Sequence, residues 1–197
     1  MNKIKLIINW ISYFKSIKYV VLTAILSSLL TVIALTTSMI QIAGTALFQV
    51  ADGLFLSLTF FIPGPMMLVA GCVYAMIFDL VSGAAFYVPI SIIIHILMFV
   101  CVKLLIHRLP FYLNIMISEL FIFLYVLYAY VINYYSNSSD VSQANIKAVI
   151  SLVTDFIQYL VSVISAIFLY NVFNTQSFLN LFKKLDIDIY KRNQTSY

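Results

Sequence analysis

Residues 51–81 read ADGLFLSLTFFIPGPMMLVAGCVYAMIFDLV, two apolar runs joined by Pro63-Gly64-Pro65. A helix cannot continue through two prolines that flank a glycine, so this stretch predicts two helices joined by a tight turn. The charged residues within it are Asp52 and Asp79, one near each end. Consecutive helices of this composition are typical of a membrane protein.

The whole chain has the same apolar character. Of its 197 residues, 63% are hydrophobic and 9% are charged, whereas a soluble domain carries roughly 25% charged residues. The chain has too few polar side chains to cover a soluble core of this size. We therefore predict an integral membrane protein, which excludes a soluble enzyme, a secreted scaffold and a nucleic-acid-binding domain.

Six apolar runs meet or approach the length of about 20 residues that a membrane-spanning helix needs. They cover residues 19–40, 43–62, 66–81, 87–106, 110–134 and 146–173. The predicted fold is an all-α bundle of six transmembrane helices in one domain, 19–173. An amphipathic segment, 1–18, precedes this domain, a charged tail, 174–197, follows it, and a polar loop, 136–145, separates the last two spans.

The basic residues indicate the orientation of the chain. With six spans, ten of the eleven lysines and arginines lie on one side of the membrane, in the terminal segments and after the fourth span. Basic residues concentrate on the cytoplasmic side of membrane proteins. An odd number of spans would separate the two terminal clusters, so we predict six spans with both termini in the cytoplasm.

Polar side chains recur at one depth in three of the predicted spans. Ionisable groups inside a membrane are costly and usually face a bundle interior or a water-filled cavity. Asp52, His95 and Asp155 lie eight or nine residues inside the outer end of their spans, a depth of about 12–14 Å. Gln158 shares a helix face with Asp155, and Ser91 shares one with His95. The pattern predicts a polar pocket that opens outward.

Structural roles are open for several of these residues. His95, taken alone, suggests a packed core histidine, and Asp79 is equally compatible with a carboxylate held by a neighbouring serine or by the backbone. Glu119, which lies deeper in the fifth span, is a ligand-facing residue, a structural anchor or a partner of Lys103.

Motifs of catalytic, metal and nucleotide sites do not occur. The sequence contains no G-x-S-x-G, no H-E-x-x-H and no G-x-x-x-x-G-K-[ST]. Cys72 and Cys101 lie in apolar runs, where we predict that they pack as small hydrophobic residues. We therefore predict no enzyme activity, no cofactor and no metal. Energy for active transport would come from another subunit or from an ion gradient.

Five short motifs follow one another along the spans. They are Asp52; Gly64-Pro65 with Gly71; Asp79-Leu80 with Gly83, Tyr87 and Pro89; Glu119 with Tyr125; and Asp155-Phe-Ile-Gln158. In this order they resemble the substrate-binding S components of energy-coupling factor (ECF) vitamin transporters. The nearest branch is the one associated with hydroxymethylpyrimidine and pyridoxine-type substrates. His95 stands where that branch often has lysine, and Asp155 where asparagine is usual.

The resemblance implies a multi-pass subunit in a bacterial cell membrane that binds a water-soluble vitamin or precursor from outside. It implies association with a membrane coupling subunit and two ATPase subunits, and no contact with nucleic acid. The substrate contacts implied are Asp52, Asp79, Phe86, Tyr87, Ser91, His95, Tyr125, Asp155 and Gln158. Ala24 and Ser28 resemble the family's small-x-x-x-small motif, which packs on the coupling subunit.

Three alternatives belong to different classes. The first is an S component for another vitamin, such as pantothenate, folate or thiamin. The second is a membrane scaffold without a ligand, in which the buried acids serve helix packing. The third is a stand-alone ion-coupled carrier, which inverted repeats would support; the two halves of the sequence show none.

Overall fold

The computed structural model describes residues 13–38, 41–42, 46–47, 50–136 and 141–184, which are almost entirely helical. The helices are α1 (Ile17–Ser38), α2 (Ala51–Phe61), α3 (Met66–Val81), α4 (Val88–Leu105), α5 (Phe111–Glu119), α6 (Leu124–Ser136), α7 (Val141–Phe173) and α8 (Gln176–Lys184). Short 3₁₀ turns cover Tyr13–Lys15, Ala85–Tyr87 and Leu120–Phe123. Strands β1 (Gln41–Ile42) and β2 (Ala46–Leu47) form a two-residue antiparallel pair. Most of the predicted amphipathic segment and the end of the predicted tail lie outside the described residues.

The exterior of the bundle is apolar. Large hydrophobic side chains such as Ile25, Leu127, Ile164 and Phe168 are more than half exposed, which soluble monomers rarely show over a continuous surface. In the described part of the chain, four helical segments are long and apolar enough to cross a membrane: Ile17–Ser38, Ala85–Leu105, Phe111–Ser136 and Val141–Phe173. The helical fold is confirmed, and these segments agree with a membrane protein. The count of six spans and the orientation of the termini stay predictions.

Helix α2 lies at the centre of the bundle. All eleven of its residues are buried, and it packs against α1, α3, α4 and α7. It is about 16 Å long, roughly half of the ~30 Å hydrocarbon core of a bilayer. The predicted start of the second span at residue 43 is wrong, because residues 46–47 pair as a strand and the helix begins only at Ala51.

The turn predicted at Pro63-Gly64-Pro65 joins α2 to α3. Gly64 has a φ of 66°, a backbone conformation that glycine adopts at little cost. A Cβ atom built on Gly64 would also lie 2.9 Å from the ring of Tyr13. Both the turn and the close approach of Tyr13 therefore require glycine at this position.

Lys103 stabilises the end of α2. Its Nζ donates hydrogen bonds to the carbonyl oxygens of Thr59, at 2.5 Å, and Ile62, at 3.0 Å. The last carbonyls of a helix have no partner within the helix, and a cation there also complements the helix dipole. A half-buried lysine in α4 thus completes a helix that ends inside the bundle.

Two other predicted spans differ from the structure. The fifth, 110–134, is interrupted after Glu119 by the 3₁₀ turn Leu120–Phe123, which no proline or glycine marks in the sequence. Residues three apart eclipse in a 3₁₀ turn, so Glu119, Ile122 and Tyr125 share one face. The sixth span begins at Val141 rather than at residue 146, so half of the predicted polar loop is helical.

The predicted charged tail begins with a helix. In α8, Phe178 and Leu179 pack against the core of the bundle, and the Phe178 ring lies 5.1 Å from that of Phe173. Lys183 and Lys184 occupy its last turn. The helix therefore has an apolar face on the bundle and basic residues at its end.

Candidate functional site: a polar cavity inside the bundle

A cavity of about 200 Å³ lies between α2, α3, α4, α6 and α7. Its lining combines acidic, aromatic and small side chains: Asp52, Tyr74, Ala75, Phe78, Asp79, Ser82, Ala84, Tyr87, His95, Ile122, Tyr125, Thr154, Asp155 and Gln158. Seven of the nine residues predicted to contact substrate are in this lining. The structure therefore brings together polar groups that the sequence placed on separate spans.

Asp52 is the centre of a hydrogen-bond network in the cavity wall. The Tyr74 hydroxyl donates to its Oδ1, and Nε2 of His95 lies 3.1 Å from the same oxygen. Gln158 donates from Nε2 to Oδ2 at 3.2 Å. Asp52 belongs to α2, and its partners belong to α3, α4 and α7. The network therefore joins four helices.

Close packing of α2 on α7 makes the contact with Gln158 possible. A Cβ atom built on Gly53, the residue after Asp52, would lie 2.8 Å from the carbonyl oxygen of Ser162 on α7. The absence of a side chain at Gly53 lets the two helix backbones approach. That approach places Asp52 within reach of Gln158.

The two nitrogens of His95 have different partners. Nδ1 lies 2.7 Å from the carbonyl oxygen of Ser91; a carbonyl only accepts, so Nδ1 carries a proton. Nε2 faces the carboxyl group of Asp52, and two bare acceptors at this distance would repel. The Tyr74 hydroxyl also lies 2.6 Å from Nε2, so Nε2 either donates to Asp52 or accepts from Tyr74.

Ser91 links this network to a second acid. Its hydroxyl donates to Oδ2 of Asp79 at 2.5 Å and accepts from the Tyr125 hydroxyl at 2.7 Å. Ser91 is 1% exposed and lies behind the cavity wall. One oxygen of Asp79 is thus held by a neighbouring serine, the alternative that its sequence position left open, while the Asp79 side chain still lines the cavity.

Asp155 lies one turn before Gln158 on α7, as the sequence predicts. Its Oδ2 accepts a hydrogen bond from Ser151 on the same helix at 3.1 Å. Asp79 and Asp155 form no ion pair with any described residue. The cavity therefore holds two carboxyl groups that have no ion-pair partner in the described chain, although His95 is near enough to act on Asp79 electrostatically.

Phe86 lies away from the cavity. It belongs to the 3₁₀ turn Ala85–Tyr87 and is 54% exposed. Its ring lies 4.8 Å from that of Tyr87, and its carbonyl accepts a hydrogen bond from Tyr128. Phe86 and Tyr87 are both predicted to contact substrate, and the structure places Tyr87 on the cavity.

Tyr74 is the principal residue that sequence reasoning missed. It is 1% exposed and contacts both Asp52 and His95, at 2.6 Å from Nε2 of the latter. The available signal was a phenol in the middle of the apolar run 66–81. A tyrosine there needs a hydrogen-bond partner inside the bundle.

Glu119 lies outside the lining and is fully buried. Neither carboxyl oxygen has a hydrogen-bond partner within the described chain, and the polar groups that act on it electrostatically include Asp52 and Ser162. Lys103, proposed as its partner, donates instead to the end of α2. Glu119 is therefore a fully buried carboxyl group, outside the cavity lining, that has no well-formed hydrogen bond with a described residue.

Ala24 and Ser28 line a separate groove of about 630 Å³ on the outside of α1 and α3. The hydroxyls of Thr23, Ser27 and Thr31 along this groove donate to carbonyls one turn back in α1, each at 2.8 Å. The groove therefore presents small side chains, and three of its hydroxyls are already hydrogen-bonded within α1. Such a surface suits close packing of a second helix in a membrane.

The remaining site predictions concern metals and cysteines. Within the described residues, no group of three or more His, Cys, Asp or Glu side chains is arranged to hold a metal ion. Cys72 and Cys101 are half-buried free thiols. No protein-family model, no curated protein and no solved structure matches this chain.

Proposed function

We propose that this chain is the substrate-binding S component of an ECF-type vitamin transporter and binds a small ring compound in the polar cavity. The carrying observation is an acid-lined cavity inside a bundle whose exterior is apolar. Carboxyl groups inside a membrane are energetically costly. Binding of a ligand by carboxyl groups from several helices is a function that accounts for their presence.

The size of the cavity favours a compact ligand. Sites for drug-sized molecules measure about 300–1,000 Å³, and this cavity measures about 200 Å³. A single-ring compound of the vitamin B6 or hydroxymethylpyrimidine type fits this space better than folate does. We therefore retain the vitamin B6 and hydroxymethylpyrimidine class as the preferred substrate.

The side chains suit a polar heteroaromatic ring. Tyr87 and Tyr125 line the cavity with ring centroids 6.1 Å apart, and aromatic faces can stack on or cover a ring. Asp155 and Gln158, one turn apart, supply an acceptor and an amide for ring nitrogens, amines or hydroxyls. This division of apolar and polar walls is what recognition of a small heterocycle needs.

The groove on α1 and α3 is the proposed docking site for the membrane coupling subunit. Its small residues Ala24 and Ser28 are exposed, and the hydroxyls of Ser27 and Thr31 are hydrogen-bonded within α1. ATP hydrolysis is assigned to two partner subunits because the sequence has no phosphate-binding loop. Six spans, cytoplasmic termini and the bacterial cell membrane complete this proposal.

The network around Asp52 favours a second candidate, a membrane scaffold without a ligand. Asp52, Tyr74, His95 and Gln158 satisfy one another, as buried polar groups in a purely structural core would. Asp79 and Asp155 distinguish the candidates, because both face the cavity and lack a cationic partner. A scaffold without a ligand would not need carboxyl groups that face a cavity.

Native mass spectrometry of the full chain, released gently from detergent, tests the proposal. We expect a stoichiometric small molecule with the mass of a single-ring vitamin. Asp155→Asn should lose it, and Thr175→Ala, whose hydroxyl donates to the Val172 carbonyl away from the cavity, should keep it. A bare chain that also shows no thermal shift with pyrimidine, pyridoxine, pantothenate, folate or thiamin compounds would favour the scaffold.

A further inference from the structure

The charge of the cavity lining specifies the charge of its ligand, provided that the proposed function holds. Among the described residues, three carboxyl groups and one imidazole line the cavity, and none of the described lysines or arginines does. Nε2 of His95 lies 3.1 Å from Oδ1 of Asp52, so Asp52 has an imidazole as its neighbour. The other two carboxyl groups belong to Asp79 and Asp155.

Both of these carboxyl groups have an oxygen directed to the open space. Each Oδ2 is occupied by a serine hydroxyl, from Ser91 and Ser151 respectively. Neither Oδ1 accepts a hydrogen bond from a described residue. Among the described residues, the buried side-chain atoms without a hydrogen-bond partner are the two oxygens of Glu119, so neither Oδ1 is a buried atom of this kind. The two Oδ1 atoms are therefore accessible from the cavity.

The positions of the two acids suit one cationic group. Asp79 lies near the end of α3 and Asp155 lies on α7, so they face the cavity from different helices. Tyr87 and Tyr125 add aromatic faces, which attract cations through their electron-rich surfaces. Two carboxyl groups in one small cavity without a countercharge resist ionisation together, and a bound cation stabilises both of their ionised forms.

We propose that the ligand carries a positive charge, as an ammonium or a quaternary ring nitrogen, held between Asp79 and Asp155. Its charged N–H groups donate to the two Oδ1 atoms, or its quaternary ring lies against them. Anionic vitamins are excluded by repulsion from the same two carboxylates. Pantothenate and folate, both anions, are thereby removed from the candidate substrates.

One ring with three different charges tests this inference. Pyridoxamine carries an ammonium, pyridoxine a hydroxyl and 4-pyridoxate a carboxylate on the same carbon of the same pyridine, so size and shape stay nearly constant. Binding to the purified full chain in detergent is measured by calorimetry and thermal shift. Thiamin, a permanent cation, is the fourth probe. We expect pyridoxamine to bind at least about tenfold more tightly than pyridoxine, and 4-pyridoxate more weakly still.

Substitution of Asp79 and Asp155 then tests whether these two residues cause the preference for a cationic ligand. Asp155→Asn and Asp79→Asn should each reduce the ratio of pyridoxamine to pyridoxine affinity by about tenfold. Thr154→Ala changes the cavity wall without changing its charge, so it should scale the affinities of all probes alike. A change in the ratio for Thr154→Ala as large as that for Asp155→Asn would overturn the assignment to the acids.

The outcomes separate the two proposals. Equal affinity across the series, or preference for 4-pyridoxate, overturns the charge inference and leaves the binding subunit standing. Tight binding of pantothenate or folate does the same. Failure of every probe to bind, together with the absence of a co-purified small molecule, overturns the proposed function itself.

Discussion

Nδ1 of His95 donates to the carbonyl oxygen of Ser91, one helical turn earlier, at 2.7 Å, while the Ser91 hydroxyl donates to Asp79. One serine therefore orients the imidazole that faces Asp52 and holds one of the two acids that lack a cationic partner. The two halves of the cavity wall, the Asp52 network and the Asp79 group, are coupled through this residue.

His95→Ala tests the structural role of the Asp52 network. Removing the imidazole leaves the buried Asp52 carboxyl group without one of its hydrogen-bonding partners, and breaking a buried charge pair costs about 3–5 kcal/mol of unfolding free energy in other proteins. We expect a large fall in the thermal unfolding temperature in detergent. Asp52→Asn in the same background should restore part of it, because the amide is neutral and still accepts from Tyr74.

A double-mutant cycle on these two residues decides whether they act as a pair. The coupling energy of Asp52→Asn and His95→Ala should be well above the ~0.5 kcal/mol scatter of independent sites. Additive losses would show that the 3.1 Å contact does not contribute to stability.

Glu119→Gln should be tolerated or should stabilise the protein. The Glu119 carboxyl group is fully buried and has no hydrogen-bond donor in the described chain, so a neutral side chain of the same shape removes the cost of burying an acid. Glu119→Ala should instead destabilise by roughly 1–3 kcal/mol because it leaves a cavity. Thermal unfolding of both variants measures the difference, and a Gln variant as unstable as the Ala variant would show that the carboxylate has a required partner.

Gly53→Ala should weaken both the fold and the site. The added methyl group would lie 2.8 Å from the Ser162 carbonyl, so α2 and α7 must separate, at a cost of about 1–3 kcal/mol. The Asp52–Gln158 contact lengthens with them, and ligand affinity should fall. Ser165→Ala in the same background removes the nearest side chain but leaves the carbonyl, so we expect partial rescue. Full rescue would place the clash on Ser165 alone.

Ala24→Trp should block assembly with the coupling subunit and leave ligand binding intact, because it fills the groove on α1 and α3. Ile25→Trp is the matched control, since Ile25 is the next residue, is 58% exposed and lies outside the groove. Co-purification with the coupling subunit and transport in cells are the readouts. Normal transport by the Ala24 variant would remove the proposed role of the groove.

Much of the helical architecture was predictable from hydropathy and punctuation. Proline and glycine at 63–65 located a turn that the structure confirms, and the apolar runs located the four long segments. The start of α2 and the 3₁₀ turn at Leu120–Phe123 were not predictable, because an apolar run looks the same whether it is a helix, a strand or a tightened turn.

The cavity was predictable in part because polar residues in apolar runs are rare. Asp52, His95 and Asp155 stood out at matching depths, and the structure brings all three to one lining. Tyr74 did not stand out among fourteen tyrosines, and Phe86 was assigned to the cavity although only its neighbour lines it. Whether a side chain faces the cavity or a neighbouring helix depends on how the helices pack. That packing cannot be read from a single sequence.

The burial of α2 on all sides has a consequence for biosynthesis. An eleven-residue helix that ends on the amine of Lys103 is too short to enter a bilayer as an independent unit. It has to insert together with α3, as one hairpin around Pro63-Gly64-Pro65, and its last carbonyls gain their donor only after α4 has arrived. Lys103, which supplies the hydrogen-bond donor for the end of α2, is therefore synthesised about forty residues after the carbonyl groups that it binds.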